Sequence, residues 1–261
     1  MNALPDPLAG FRLDGRTALV TGARREIGRA IALAFAAQGA RVAVHHVGTA
    51  EEANDAAGVV AQIEAAGGTA RAFAADFADV AAARLLADAV TTGLGPVDIL
   101  VLNASIEIVQ PWTEVTHATF DLQVQVNLRA TLDLLQALVP EMATRGWGRV
   151  LTIGSIQQVS PHPGMIVYAG SKAMQHNFAV NLARQVGGAG VTVNNLAPGV
   201  IATARNRAQL VENAERLKTR IPVGRIGRPE DLVGAALLLC SEAGSYINGA
   251  SLLVDGGRHI P

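Results

Sequence analysis

The sequence predicts an α/β protein: a single doubly wound domain with a seven-stranded, mostly parallel sheet and helices on both faces. Three observations lead there. Short β-branched or aliphatic runs alternate with longer Ala/Leu-rich stretches from one end of the chain to the other. The links between them are short, as crossovers in a parallel sheet usually are. Strand candidates such as Ala18-Leu19-Val20 and Ile99-Leu100-Val101-Leu102 are apolar at every position, as strands covered on both sides must be.

The strands are expected at 17–21, 41–46, 69–74, 98–103, 149–153, 191–197 and 251–254, with helices near 27–38, 50–66, 79–93, 116–145, 168–186 and 229–240. Gly39 and Gly67 stand where helix C-caps belong, and Gly95-Pro96 stops a third helix. Residues 1–13 read as an N-terminal arm and 14–261 as the one domain, with no repeat, low-complexity tract or linker.

Composition narrows the function classes. Of 261 residues 50% are hydrophobic and 16% charged, with 21 Lys+Arg against 22 Asp+Glu for a net charge of −1. Disorder needs the opposite balance, and no basic excess is available for a nucleic-acid partner. A single cysteine, Cys240, can build neither an internal disulfide nor a multi-thiolate metal site. Residues 1–10 contain Pro5 and Pro7 with no basic start or apolar run, so they do not read as a signal peptide. The longest apolar helix candidate, 116–145, carries Asp121, Arg129, Asp133 and Glu141, too many charges for a membrane span. A cytoplasmic protein with no membrane partner is expected.

The first strand runs into Thr21-Gly22-Ala23-Arg24-Arg25-Glu26-Ile27-Gly28 and then a helix. A strand, a glycine turn and a helix N-terminus form the Rossmann cradle for a dinucleotide pyrophosphate: glycine lets the backbone come close, and the helix offers free N–H groups and the positive end of its dipole. This turn resembles that of the short-chain dehydrogenase/reductase family, Thr-Gly-x-x-x-Gly-x-Gly. Thr21, Gly22 and Gly28 match, and Glu26 replaces the middle glycine. A carboxylate beside a pyrophosphate repels it unless neutralised, so Glu26 is expected to turn away and pair with Arg24, Arg25 or Arg29.

An acid at the end of the second strand usually holds the ribose of NAD. Here the strand ends His45-His46-Val47-Gly48-Thr49 with no acid. Arg24, Arg25 and Thr49 are candidates for a 2′-phosphate, and the resemblance links a basic residue at Arg25 with NADP. NADP(H) is therefore favoured, with NAD(H) the second choice. Neighbouring strand residues face opposite ways, so His45 and His46 cannot chelate one ion, and no metal site is expected.

Tyr168 and Lys172 stand four residues apart at the start of a helix, on one face. A phenol with a pKa of about 10 is a poor acid or base at neutral pH, and a neighbouring ammonium favours the phenolate. Such a tyrosine can exchange a proton with a carbonyl or alcohol oxygen while hydride moves to or from a nicotinamide. Ser155, after the fifth strand, can hydrogen-bond the developing alkoxide. Asn127, a mediocre helix former inside a helix, implies a specific buried partner such as a water relay. Together the four match the family's Asn-Ser-Tyr-Lys tetrad, which implies that Lys172 also holds the nicotinamide ribose. Gly154-Ser155-Ile156-Gln157 lacks the second glycine of a hydrolase nucleophile elbow.

The resemblance extends over about residues 14–258. It implies cofactor contacts at Gly22, Ile27, Gly28 and His46, at Asp76 and Phe77 after the third strand, and at Asn103-Ala104. It implies others at Pro198-Gly199-Val200-Ile201 and Thr203. Leu102 and Ser105 depart from the family's Asn-Asn-Ala-Gly. Substrate contacts are expected from 105–111, 156–167 and a lid at 200–221, with Glu107, Gln157, Gln158 and His162 suiting a small hydroxylated or polar carbonyl compound. A 3-oxoacyl-carrier-protein reductase is the alternative, although Gly146 and Ala189 stand where carrier-gripping basic residues would be. A dinucleotide sensor without chemistry is the alternative from another class. The resemblance further implies a homotetramer built on the helices at 116–145 and 168–186.

Overall fold

A computed structural model describes Asp6 and residues 8–260 of the chain. Seven strands, β1 Thr17–Val20, β2 Arg41–His46, β3 Thr69–Ala74, β4 Ile99–Leu102, β5 Gly148–Ile153, β6 Val191–Pro198 and β7 Ser251–Val254, form one sheet in the order β3-β2-β1-β4-β5-β6-β7. Every pairing is parallel, where the sequence predicts a mostly parallel sheet. The order reverses between β1 and β4, and the chains leaving their C-terminal ends diverge to open a crevice there.

Among the described residues eight α-helices connect the strands: α1 Glu26–Ala37, α2 Ala50–Ala65, α3 Ala82–Leu94, α4 His117–Val124, α5 Ala130–Thr144, α6 Ile166–Val186, α7 Arg207–Lys218 and α8 Val233–Cys240. The two-residue period of the strands divides the core. Ala18, Val20, Val42, Val44, Ile99 and Val101 pack with Ile31 and Phe35 of α1, Val59 of α2 and Leu239 of α8. Leu19, Ala43, Leu100, Leu102 and Val150 point the other way, onto Leu86 of α3, Leu134 of α5 and Ala179 of α6. That is why these strands read as continuous apolar runs.

Two helical regions differ from expectation. The stretch predicted as one helix over 116–145 is broken: α4 and α5 are joined by a π turn, Gln125–Arg129, with Asn127 inside it. The lid segment contains a helix of its own, α7, in which no apolar stripe is buried among the described side chains. Within the arm, Ala9–Phe11 form a short 3₁₀ turn and the Leu13 N–H donates to the Gln38 carbonyl at 2.8 Å, while residues 1–5 and 7 lie outside the described part. Among the described residues no helix is long and apolar enough to cross a membrane.

Candidate active site

The crevice is a cleft of about 570 Å³. Its floor at one end is the β1–α1 turn. Gly22 has φ +63, and a side-chain carbon at Gly28 would lie 2.7 Å from Asn103 Nδ2 and 2.9 Å from the Ala23 backbone, as well as against the Gly22 carbonyl. The turn is tied to β4: the Asn103 amide donates to the Thr21 carbonyl at 2.9 Å, and the N–H groups of Asn103 and Ala104 donate to Thr21 Oγ1 at 2.9 Å each. Thr21 is thus the clamp between the two diverging strands. Arg25 precedes α1 in extended conformation and no side chain caps the helix, so its first N–H groups face the cleft uncapped by protein.

Glu26 holds φ +53, the only positive value among described non-glycine residues. Its carboxylate turns toward the lid and accepts the N–H of Ala204, and Arg25 Nε lies 4.0 Å away. The expected partner set of Arg24, Arg25 and Arg29 therefore reduces to Arg25. Arg24 is engaged elsewhere, 2.7 Å from Glu52 and 2.6 Å from Asp55, and Arg29 donates to Gln62. Of the residues expected at a 2′-phosphate, Arg24 lines the cleft with its charge matched by these carboxylates, Arg25 lines it half-exposed, and Thr49 lies outside it, capping α2 through Glu52 N–H.

The two histidines face opposite ways. His45 accepts the Gly22 N–H at Nδ1 (2.9 Å), contacts the Ala75 carbonyl through Nε2 (2.8 Å) and stacks on Phe77. Burial lowers its pKa to about 4, so it is neutral and acts as a fixed acceptor for the glycine turn. His46 lines the cleft with a buried Nδ1 that has no partner among the described residues. Asp76 and Phe77 stand beside it, and the Asp76 carboxylate also accepts the Ala78 N–H. A glycine at 28 too crowded for any side chain, a left-handed glycine at 22, uncapped helix N–H groups and an unpartnered imidazole nitrogen fit a dinucleotide at this end.

At the other end stands Tyr168, buried in the first turn of α6, with Lys172 one turn on and its Nζ 5.6 Å from the phenol ring centre. Lys172 Nζ donates to the Ile153 carbonyl at 2.8 Å and to Gln175 Oε1 at 3.0 Å. Burial, with Arg205 adding to it and Glu107 opposing, lowers the lysine to about 7. Tyr168 is pushed up by its burial, while Arg205 and hydrogen bonds with Ser155 and Ser105 pull the other way. This differs from the lowered value the sequence suggests, because desolvation of the phenol outweighs its polar neighbours.

Ser155 lines the cleft and accepts the Gln157 N–H at 3.2 Å. Asn127 does not line it. Its amide grips the backbone of Ile106, accepting the N–H and donating to the carbonyl at 2.9 Å each, and donates to Ser171 Oγ at 3.2 Å. Pro198, Gly199, Val200, Ile201 and Thr203 form the wall after β6, where the Thr203 N–H donates to Asn206 Oδ1. Arg205 was not singled out from the sequence. It reaches from the lid to the Ser105 carbonyl at 2.7 Å and lies 3.9 Å from Glu107. Only position within the lid hinted at it.

A dinucleotide crevice that ends in a buried Tyr-Lys pair with a serine alongside is the arrangement of a nicotinamide-dependent oxidoreductase. The family model described as enoyl-(acyl carrier protein) reductase matches residues 22–259. D-threitol dehydrogenase of Mycolicibacterium smegmatis is 37% identical over 251 residues, 96% of this chain and 95% of that protein. Among solved structures, a 3-oxoacyl (acyl-carrier-protein) reductase from Agrobacterium tumefaciens with NADP bound is 41% identical at TM-score 0.88, covering 95% of this chain and 96% of that one. A gluconate 5-dehydrogenase from Burkholderia cenocepacia in complex with NADP and tartrate is 33% identical at TM-score 0.90, covering 97% and 98%. The chain belongs to the short-chain dehydrogenase/reductase family, and it is an oxidoreductase acting on CH–OH groups.

Proposed function

We propose that the enzyme uses NADP(H), with NAD(H) second, to interconvert a carbonyl and a secondary alcohol on a small hydroxylated substrate, with Tyr168 as the acid/base. The observation that carries this is Tyr168 on the cleft wall, one helical turn from a lysine that is buried beside it. The bound nicotinamide would supply or accept the hydride. In the reducing direction the Tyr168 hydroxyl gives its proton to the carbonyl oxygen and becomes the phenolate, and in oxidation the phenolate takes the alcohol proton. Ser155 donates a hydrogen bond to the oxygen as its charge grows. Lys172 would hold the ribose, and Asn127 fixes the β4–α4 loop through Ile106. Gly22, Ile27, Gly28, Asn103 and Ala104 would cradle the pyrophosphate side, His46 and Arg25 the 2′-phosphate, and Asp76 and Phe77 the adenine. The wall from Pro198 to Thr203 would meet the carboxamide.

The polar rim of Glu107, Gln157, His162 and Arg205 supports a polyol, sugar or sugar acid as substrate. Support against a carrier-bound thioester comes from the neighbours of Gly146 and Ala189. Arg145 is committed to Asp98 and Glu141, and Arg149 is buried against Trp147 and the Ser241 carbonyl. Residues 14–261 then act as one unit carrying both sites, in the cytoplasm. A homotetramer is supported by an apolar groove between α5 and α6, lined by Leu132, Leu135, Val139, Phe178 and Leu182.

The test assays polyols, sugar acids, simple ketones and acetoacetyl thioesters with both cofactors, in wild type and Tyr168→Phe. NADP(H) should give the higher kcat/KM, a hydroxylated compound should be the best substrate, and the variant should lose on the order of 100-fold or more in kcat. An NADH preference, a thioester as best substrate, or a variant within about tenfold of wild type would each overturn the corresponding part.

A further inference from the structure

Gln175 lies one turn beyond Lys172 on α6 and is fully buried. Its Oε1 accepts from Lys172 Nζ at 3.0 Å, while its Nε2 donates to the Asn127 carbonyl at 2.7 Å and to Thr131 Oγ1 at 3.1 Å. The orientation of the amide is fixed by chemistry, since an ammonium only donates and a backbone carbonyl only accepts. Every polar atom of the side chain is therefore used, and of its partners Asn127 lies in the π turn and Thr131 in the first turn of α5.

Resting on the reading of Tyr168 and Lys172 as the reacting pair, we propose that Gln175 is a positioning residue: its amide clamps the Lys172 ammonium between β5 and the π turn and fills the space that joins them. Among the described residues Gln175 is the one side chain that accepts a hydrogen bond from Lys172, with the Ile153 carbonyl its backbone counterpart. A buried ammonium carries three donors, so deleting one of two acceptors disfavours its charged form. The charged or titratable groups facing it are Tyr168 from its own helix, Glu107 from the β4–α4 loop and Arg205 from the lid. Among the described residues β5 brings the neutral Ile153 carbonyl, and the π turn and the start of α5 bring neutral Asn127 and Thr131 by way of Gln175.

The chain contains two lysines, Lys172 and Lys218, the latter half-buried at the surface beside Glu215. Carbon-13 labelling at lysine Cε thus gives two resonances, and the midpoint of the buried one can be followed by NMR in the intact chain without knowledge of the substrate. In wild type it should titrate near 7. Gln175→Met keeps the volume and deletes the acceptor, and should lower the midpoint by about half a pH unit or more; Gln175→Glu adds a carboxylate and should raise it by at least as much. The pH limb of kcat should move with each midpoint, in opposite senses, while thermal midpoints report folding. Midpoints that stay put, or move the same way in both variants, overturn the proposal. If the methionine variant does not fold, an unmoved midpoint in the glutamate variant overturns it alone. Tyr168→Phe separates the two failures: a variant that keeps its turnover defeats the underlying pair, whereas an inactive one beside unmoved midpoints defeats Gln175 only.

Discussion

The two ends of the crevice are held together by different physics. At the β1–α1 turn charged side chains are matched by partners nearby: Arg24 by Glu52 and Asp55, and Glu26, which replaces the family's middle glycine, by Arg25 and the Ala204 N–H. At the catalytic end the lysine is surrounded chiefly by neutral acceptors, and the residues around it are buried. Ion pairs near solvent tolerate change because water takes over part of their role, whereas a buried ammonium on neutral contacts has no such substitute. Within the cofactor end the same divide recurs, between rigid backbone at Gly28 and the adaptable side chains around it.

Gly28 is therefore where the cofactor end should break most sharply. A methyl group there meets the Gly22 carbonyl and the Ala23 backbone, neither of which can swing aside. Gly28→Ala should cost on the order of 1–3 kcal/mol in stability and weaken NADP binding by at least about tenfold, read from denaturant midpoints and cofactor titration. Gly58, in α2 with open space around it, is the matched control: Gly58→Ala should stabilise by about 0.5–1 kcal/mol and leave cofactor affinity alone. Equal effects at the two glycines would show that the crowding at Gly28 is relieved by backbone movement.

The pH dependence of the turn gives the next largest effect. His45 is neutral in the fold with a pKa of about 4, against 6.5 unfolded. The unfolded chain then binds more protons between those values, so this contribution to stability falls as pH drops through 6.5 and is fully lost below about 4. The full difference is about 3 kcal/mol. His45→Asn keeps an acceptor for the Gly22 N–H and does not titrate, so its unfolding free energy should fall less than wild type between pH 7 and 4. Parallel curves would mean the ring is protonated in place and the turn does not depend on it. Lys172 acts with the same sign in a higher window: lowered to about 7 from 10.5, it makes stability grow as pH rises between those values.

What the sequence makes legible follows the range of the interaction. Strand faces repeat every two residues and the Tyr168–Lys172 pair sits within one helical turn, so both can be read from adjacent letters. The break at Gln125–Arg129 cannot, because Asn127 spends its amide on Ile106, on a separate loop, and that contact is invisible until the chain closes. Arg24 reads as a phosphate ligand until α2 brings Glu52 and Asp55 against it. Gln175 looks like an ordinary helix residue, since two of its three partners lie on other elements. Polar residues whose role depends on distant acceptors stay hidden, whereas periodic apolar ones do not.

Glu26 is where the smallest and most telling change is expected. Holding a residue with a side chain at φ +53 costs about 1–2 kcal/mol, and glycine would remove that strain. Glu26→Gly also loses the hydrogen bond to Ala204 and gains freedom in the unfolded chain, each opposing the relief by an amount of similar size. Net stability should therefore move by less than about 1 kcal/mol. Because the carboxylate is aimed at the lid and away from the helix N-terminus, the NADP dissociation constant should change by less than about tenfold, a shift under about 1.4 kcal/mol. The lid should respond instead: with its first N–H released, limited proteolysis around 203–207 should quicken and substrate KM should rise more than the cofactor constant changes. A gain in cofactor affinity well above tenfold would show that the glutamate stands close enough to the pyrophosphate to repel it, and that its bond to Ala204 gives way when the cofactor enters.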